Sequence, residues 1–255
     1  MIYEIKETQN AAALFDGWDE TLILSCLQGI MGNIYADDRT HPTAAMAVLG
    51  DFTFFAGKPN TEMVAFKPDW CTQNFMIMVP QNKAWQDMIL ACYGDRAKLV
   101  SRYAIKKEPA VFDVEHLQKA VSSLPEEYEM RMMDEPLYQM CRTESWSADL
   151  VSQFPDYETY KRLGLGAVIL KKQEVVSGAS SYSRYREGIE IEIDTKKEYR
   201  RKGLAYACGA KLILECLKRG LYPSWDAQNP LSAALAEKLG YHYSHSYAAI
   251  EIWGY

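Results

Sequence analysis

The sequence predicts a layered fold of sheets and helices, either α/β or α+β. Two observations predict it. Stretches with the alternating apolar pattern of strands recur between stretches with the apolar spacing of helices along the whole chain. Towards the carboxy-terminus, three strand-like segments follow one another with only short polar turns between them, which favours an antiparallel meander.

The first element is a helix, because Leu14, Trp18, Leu22 and Cys26 recur at every fourth position before Gly29 ends the pattern. Alternating strands and helices are then predicted as far as the middle of the chain. In order they are the hairpin strands AAMAVL and FTFFAG joined at Gly50-Asp51, the strand NFMIMV, a helix capped by Asn82, the strand LVSRYAI, a helix capped by Asp113 and the strand YEMRMM.

The middle of the chain, TESWSADLVSQFPDYETYKRLG, predicts two short helices separated at Pro155. Asp156 caps the second helix and Gly164 ends it. We place a domain boundary just before this segment, which gives domains 1–141 and 142–255. No Gly/Ser/Pro-rich linker marks the boundary.

The carboxy-terminal third has the predicted order β-β-β-α-β-α-β. Its elements are the strands GAVILK, VVSGASSYSRY and GIEIEID, a helix from about Leu204, the short strand YPSWDA, a helix from Pro230 to Leu239, and a last strand in HYSHSYAAIEIW.

Composition narrows the classes of protein that fit. The chain has 255 residues, is 48% hydrophobic and carries a net charge of −6, so it has enough apolar residues for a core and no overall positive field that would attract nucleic acid or an anionic membrane. It contains neither a signal-like amino-terminal segment nor an apolar run of about 18 residues. We therefore expect a cytoplasmic protein with no nucleic-acid or membrane partner.

The most unusual local feature is the loop TKKEYRRKG between the strand ending at Asp194 and the following helix. Its cations, Arg200, Arg201 and Lys202, stand at the amino end of that helix, where they oppose the helix dipole unless an anion binds there. Gly203 would let a phosphate approach the backbone without interference from a Cβ atom. The alternative interpretation is a solvated basic patch, and the residues alone leave both open.

This loop resembles a known signature. Arg200-x-x-Gly203-x-Ala205 is similar to the Q/R-x-x-G-x-G/A run of the GCN5-related N-acetyltransferases, and NPLSAALAEKLGY resembles the second motif of that family. The resemblance covers residues 165–253. The amino-terminal half has no such run, so it is either a degenerate second copy of the fold or an unrelated cap.

The resemblance implies an α+β fold with a mixed, mostly antiparallel sheet flanked by helices. It also implies transfer of an acetyl group from acetyl-CoA to the amine of a small molecule, by direct attack and without a metal. The residues that it implies for coenzyme A binding are the main chain of Ile193 and Thr195, then Arg200, Arg201, Lys202, Gly203, Leu204, Ala205 and Asn229. Asn229 is followed by Pro230, and this pair also suits a helix cap that needs no ligand.

Candidates for proton transfer follow from the strand GIEIEID and from the second motif. Alternation places Glu190, Glu192 and Asp194 on one face, where partial burial would raise their pKa values towards those useful for a base. Glu190 is the first candidate and Glu192 the second; the alternative is a solvated polar face. Many relatives of the family place a Tyr acid where this chain has Ala236. Here Tyr241, another tyrosine or water would protonate the thiolate, or no acid is needed because a thiolate leaves readily.

A second function class stays open at this point. A non-catalytic acyl-CoA-binding or sensor protein would keep the phosphate-binding turn and lack the acid. Both classes predict binding of coenzyme A, and they differ in whether free thiol appears when an amine is supplied.

Overall fold

The computed structural model describes residues 1–255. The strands are β1 (Tyr3–Ile5), β2 (Asn33–Ala36), β3 (Ala44–Leu49), β4 (Phe52–Gly57), β5 (Phe75–Pro80), β6 (Ala97–Ile105), β7 (Glu129–Met132), β8 (Gly166–Lys171), β9 (Glu174–Tyr185), β10 (Gly188–Thr195), β11 (Tyr222–Ser224), β12 (Asp226–Ala227) and β13 (Tyr243–Trp253). The α-helices are α1 (Gln9–Ala12), α2 (Thr21–Leu27), α3 (Thr61–Ala65), α4 (Lys83–Tyr93), α5 (Val114–Ser122), α6 (Glu135–Thr143), α7 (Tyr157–Leu163), α8 (Leu204–Lys218) and α9 (Pro230–Lys238).

The chain divides into two compact units. The first contains Met1–Arg102 and Ser246–Tyr255, and the second contains Tyr103–His245. This division differs from a boundary near residue 142, which falls inside the second unit. The physical reason is that β7, which precedes residue 142, pairs with β8 and so belongs to the sheet of the second unit.

In the first unit, the strand order is β1-β2-β3-β4-β5-β13-β6. The first four strands are antiparallel neighbours, β4 and β5 are parallel, and β5 and β13 are antiparallel. Gly50 turns between β3 and β4 with a φ of 60°, as the Gly50-Asp51 hairpin predicts. The core on one face of this sheet is built around Trp85, which is fully buried among β-strand side chains such as Phe55 and Met78.

In the second unit, the main sheet has the order β11-β10-β9-β8-β7. Neighbours from β7 to β10 are antiparallel, and β10 and β11 are parallel. Helix α8 packs on one face, where the predicted isoleucine side of β10 joins the core: Ile189 is fully buried and Ile191 nearly so. Gly209 allows this close packing, because a Cβ atom there would lie 3.2 Å from Ile193 and 2.8 Å from Leu239.

The two units share one connection pattern. In each, four successive antiparallel strands are followed by a helix that leads to a fifth, parallel strand: α3 leads from β4 to β5, and α8 leads from β10 to β11. The crossover helices differ in length, since α3 has 5 residues and α8 has 15. The repeat is therefore one of topology, and it has no counterpart in repeated sequence.

The predicted fold class, α+β with mixed and mostly antiparallel sheets flanked by helices, is confirmed. The single helix predicted around Leu14 to Cys26 is wrong: α2 begins only at Thr21, because Gly17 has a φ of 76° and breaks the pattern. Helix α6, with Asp134 as its cap, lies in a segment where no helix was predicted. None of the helices has both the length and the apolar composition that a membrane span requires.

Candidate active site

The site begins where β10 loses its partner on one side. Strand β11 pairs with β10 only from Gly188 to Glu190. The chain then turns at Trp225 to β12, which pairs instead with Tyr103 and Ala104 in β6. From Ile191 to Thr195, this edge of β10 therefore has no strand beside it. At Thr195 the backbone is bonded within the protein, because its N–H donates to Asp194 Oδ1 at 2.6 Å and its carbonyl accepts from Arg200.

The equivalent place in the first unit is closed. There the parallel pairing continues from Phe52 to Phe55, and side chains occupy the end of β4. The N–H of Gly57 donates to Gln81 Oε1 at 2.9 Å, and the indole N–H of Trp85 donates to the carbonyl of Gly57 at 3.0 Å. At the end of β4, the backbone groups of Gly57 are thus bonded to side chains, whereas the corresponding edge of β10 has no strand beside it.

The amino end of α8 offers a row of unused hydrogen-bond donors. No acceptor is found for any backbone N–H from Arg201 to Tyr206, and no side chain caps the helix. By contrast, Asn or Asp side chains cap six other helices, and Asn229 is the cap of α9, with Oδ1 accepting from the Ser232 N–H at 3.0 Å. Unpaired N–H groups and the positive end of the helix dipole make this terminus suited to an anion.

The backbone of this turn takes an unusual conformation. Arg201 has a φ of 62° and Gly203 a φ of 80°, both in the left-handed region. Arg201 adopts it at a cost that only glycine avoids. Nothing lies within 4 Å of the position of a Cβ on Gly203, so space is open above the turn. Residues Arg201, Lys202 and Gly203 are exposed, whereas Leu204 is buried in the core and Ala205 is half-buried.

Arg200 holds the loop to the end of β10. Its Nε donates to the carbonyl of Thr195 at 2.9 Å, and its Nη2 lies 3.2 Å from Asp194 Oδ1. Thr195 is buried, and its hydroxyl is 2.7 Å from Ser177 Oγ. In this arrangement the guanidinium of Arg200 is engaged with the protein, which leaves Arg201 and Lys202 as the exposed cations of the triplet.

A pair of lysines adds positive charge beside the turn. Lys202 Nζ lies 5.0 Å from the centre of the Tyr199 ring, and Lys171 Nζ lies 5.8 Å from the same ring. Lys171 also forms an ion pair with Glu127 at 2.8 Å, which is the largest cause of a raised pKa for the lysine. Both ammonium groups therefore lie beside Tyr199, which directly precedes Arg200.

The carboxylates of β10 lie on the face opposite α8, as alternation predicts. Glu190 is 7% exposed, while Glu192 and Asp194 are half-buried. Glu190 is the last residue of β10 that pairs with β11, so its side chain stands where the two strands part. The pairing between β9 and β10 shifts directly after Glu190, and the extra residue of this bulge is Tyr182.

Tyr241 is fully enclosed near the same point. Its hydroxyl donates to the carbonyl of Pro223 in β11 at 2.6 Å, and its ring packs edge-on against Trp225 and Phe112. Burial raises its pKa well above the ordinary value for tyrosine. The hydroxyl thus fixes the strand just before it leaves β10. Trp225 is likewise a wall residue, with its indole N–H donating to Ser232 Oγ at 3.1 Å.

The structure also brings forward residues that no motif named. Ser183 lies directly opposite Glu190 on β9, and Ser224 lies directly opposite it on β11. The hydroxyl oxygen of Tyr185 lies 2.9 Å from Ser224 Oγ. The run SGASSYSRY, with its many hydroxyl groups, was the available sequence signal, but the pairing that selects among its serines is not local.

Comparison with known proteins gives a consistent result. A family model described as GNAT acetyltransferase matches residues 12–250. The protein named "Uncharacterized N-acetyltransferase YdfB" of Bacillus subtilis (strain 168) is 27% identical over an alignment of 254 residues that covers 92% of this chain and 92% of that protein.

Solved structures similar to this chain also include acetyltransferases of this kind. The crystal structure of a GCN5-related N-acetyltransferase-like protein from Streptococcus suis 89/1591 is 49% identical, with a TM-score of 0.91 over 97% of this chain and 98% of that chain. A tandem GNAT protein from the clavulanic acid biosynthesis pathway has a TM-score of 0.57 at 8% identity, over 100% of this chain and 99% of that one, and so shares the fold alone. With the family match extending over both units, the chain belongs to the GNAT acetyltransferase family.

Proposed function

We propose that this protein transfers an acetyl group from acetyl-CoA to the amine of a small molecule. The observation that carries the proposal is that the uncapped start of α8 follows directly on the unpaired edge of β10. The row of N–H groups from Arg201 to Tyr206 suits a pyrophosphate, and the open edge suits the amide groups of a pantetheine arm. Acetyl-CoA presents both groups along one extended molecule.

Coenzyme A would be held mainly by the backbone. The N–H groups of Gly203, Leu204 and Ala205 would donate to the pyrophosphate, and the main chain of Ile193 would meet the pantetheine arm. Thr195 would contact the arm only by giving up the bond from its N–H to Asp194 Oδ1 or the bond from Arg200 to its carbonyl. The exposed side chains of Arg201 and Lys202 would add charge-assisted contacts to the phosphates.

Two further residues of the same proposal, Arg200 and Asn229, already form hydrogen bonds within the protein. Arg200 shapes the loop through Thr195 and Asp194, so its contribution to phosphate binding would be indirect. Asn229 uses its Oδ1 as a cap, and only its amide NH₂ is left to contact coenzyme A.

We assign the base to Glu190, with Glu192 as the second candidate. An amine arrives as an ammonium ion and loses a proton to the carboxylate. The nitrogen then forms a bond to the thioester carbonyl carbon, and the C–S bond breaks to release coenzyme A as a thiolate. The amide nitrogen gives its remaining extra proton to that thiolate, and the carboxyl returns its proton to solvent, so the reaction balances without a further reactant.

No separate acid is required by this scheme. Tyr241 is the candidate acid, but its hydroxyl donates a hydrogen bond to the Pro223 carbonyl. A role as proton donor to the thiolate would require that bond to break. We propose that Tyr241 acts by holding β11 at the point of divergence. The acceptor is inferred to be a cationic small amine, because Glu190, Glu192 and Asp194 line one face of β10 in a chain with a net charge of −6.

The test combines binding with turnover. Acetyl-CoA at about 100 times its Kd should stabilise the protein by about 2.7 kcal/mol and raise Tm by about 5–11 °C. Release of the coenzyme A thiol should then appear with at least one of spermidine, glucosamine and tyramine. Stabilisation by acetyl-CoA without thiol release from any primary amine in a broader set would identify a binding or sensor protein instead. No stabilisation at all would overturn both.

A further inference from the structure

A row of three side chains crosses the sheet at Glu190. Ser183 of β9 and Ser224 of β11 lie directly opposite it on either side, so the three side chains project from the same face. All three are buried: Ser183 is 0% exposed, Ser224 is 2% and Glu190 is 7%. A carboxyl group therefore lies between two hydroxyl groups, in a place with little water.

The two hydroxyl groups differ in their partners. Ser224 Oγ is 2.9 Å from the Tyr185 hydroxyl. Ser183 Oγ is buried and has no hydrogen-bond partner. Burying a hydroxyl without a partner costs free energy, and native proteins seldom leave one in that state.

The other buried serines of β9 all have hydrogen-bond partners. Ser177 is bonded to Thr195, Ser180 to Tyr160, and Ser181 accepts from the N–H of Leu165 at 2.9 Å. Ser183 alone among them keeps its donor unused, and it is the one opposite Glu190.

We propose that Ser183 is a positioning residue for Glu190, whose carboxylate accepts a hydrogen bond from the Ser183 hydroxyl when it is ionised. Directly opposite residues of an antiparallel pair have Cβ atoms about 4.5–5.5 Å apart. A change between staggered χ1 rotamers redirects a serine hydroxyl without moving the backbone. The unused donor is therefore within reach of the carboxylate, and the inference rests on the proposed role of Glu190 as the base.

Such a bond would act on proton transfer. A hydrogen bond donated to the charged form of a carboxyl lowers its pKa and opposes the effect of burial. Ser183 would thus keep a buried carboxylate ready to accept a proton, and it would fix which oxygen does so.

Other titratable groups lie near Glu190, and this proposal assigns no new role to them. Tyr185 on β9 has its pKa raised to about 12 by burial, with the charge of Glu190 a smaller cause, and Tyr222 on β11 and Tyr241 are also nearby. Glu192 follows on the same strand. Asp149 belongs to the 3-10 helix at 148–150, whose Leu150 covers this face at Gly178. None of these supplies the hydroxyl donor opposite Glu190.

The experiment measures the titration of Glu190 directly, so it needs no acceptor. Protein labelled with ¹³C at the glutamate side-chain carboxyl is titrated by NMR, alone and with acetyl-CoA, and Glu190→Gln identifies the signal. Ser183→Ala should raise the pKa of Glu190 by about one unit, since a hydrogen bond to a charged group is lost. On the acid limb of the rate profile, that shift lowers turnover about tenfold.

Stability separates positioning from a structural role. Below the pKa of Glu190, where the carboxyl is neutral and the Ser183 hydroxyl has no partner, Ser183→Ala should leave Tm unchanged or raise it. Above that pKa, Ser183→Ala also removes the bond to the carboxylate, so the Tm of the variant should fall relative to that of the unaltered protein. Ser181→Ala is the matched control, because Ser181 is equally buried on the same strand but faces Ile191 and binds Leu165. It should lower Tm and leave the Glu190 titration unchanged.

The outcomes are distinct. An unchanged Glu190 titration in Ser183→Ala overturns the inference, and so does a loss of Tm as large as that in Ser181→Ala at a pH below the pKa of Glu190. If the titration shifts as expected while Glu190→Gln retains full turnover, Ser183 does bind Glu190 and it is the assignment of the base that fails.

Discussion

Gly203 and Gly220 lie at opposite ends of α8 in the same left-handed conformation, with φ values of 80° and 67° and no atom within 4 Å of either missing Cβ. The two glycines are thus equal in strain and in free space. They differ in what surrounds them, since Gly203 lies at the positive end of the helix beside unpaired N–H groups.

This equivalence gives the sharpest test of the phosphate site. Gly203→Ala and Gly220→Ala should each cost about 1–2 kcal/mol of stability, because a non-glycine residue is strained at positive φ. Gly203→Glu should in addition abolish stabilisation by acetyl-CoA in a thermal-shift assay, by placing bulk and negative charge where a phosphate would lie. Gly220→Glu should retain it. Equal acetyl-CoA stabilisation in the two Glu variants would contradict the site.

The assignment of the base predicts a selective loss of turnover. Glu190→Gln should lower kcat by about 10²–10⁴-fold, the usual contribution of a general base, while the affinity for acetyl-CoA is kept. Glu187→Gln is the control, because Glu187 is exposed in the turn of the same hairpin. Steady-state kinetics with the amine that supports turnover measures the effect. A larger loss in Glu192→Gln than in Glu190→Gln would transfer the role to Glu192.

The closed strand end in the first unit predicts that each chain binds one acetyl-CoA. Gln81 and Trp85 occupy the backbone groups of Gly57, and α3 is capped by Asn60, so the donors that α8 leaves open are used there. Isothermal titration calorimetry should give one site per chain. The double variant Arg201→Glu, Lys202→Glu should remove that site. A second site that survives in this variant would show that the first unit also binds coenzyme A.

Local features of the site were predictable from the sequence, and pairing between distant segments was not. The start of α8 is encoded within a few residues by Arg201, Lys202 and Gly203. The turn of the chain at Trp225, which opens the edge of β10, depends on β12 pairing with β6 more than a hundred residues earlier. No local pattern specifies such a change of partner.

The bulge at Tyr182 shows the same limit on a smaller scale. Simple alternation would put Ser181 and Ser183 on one face of β9. The extra residue instead pairs Ser181 with Ile191 and leaves Ser183 opposite Glu190, so the two serines face opposite sides of the sheet. Residue types indicated a hydroxyl-rich surface, but the bulge decides which hydroxyl lies beside the carboxyl.

The cysteines predict a simple pattern of reactivity, which also bears on any assay that detects free thiol. Burial raises the pKa of Cys26, Cys141, Cys208 and Cys216 to about 12 in each case. Cys92 is exposed. At pH 8 a thiol with a pKa near 12 is ionised to about one part in ten thousand, so it reacts far more slowly than an ordinary thiol, and access slows it further.

Iodoacetamide at pH 8, followed by peptide mass spectrometry, should therefore label Cys92 within the time in which the buried cysteines stay unmodified. Denaturation in guanidinium should make all of them reactive, and Cys92→Ser should remove the fast labelling of the native protein. Fast native labelling of Cys208 would contradict the prediction. Because Cys208 lies on α8 within the core against β10, such labelling would mean that α8 separates from the sheet often enough to expose it.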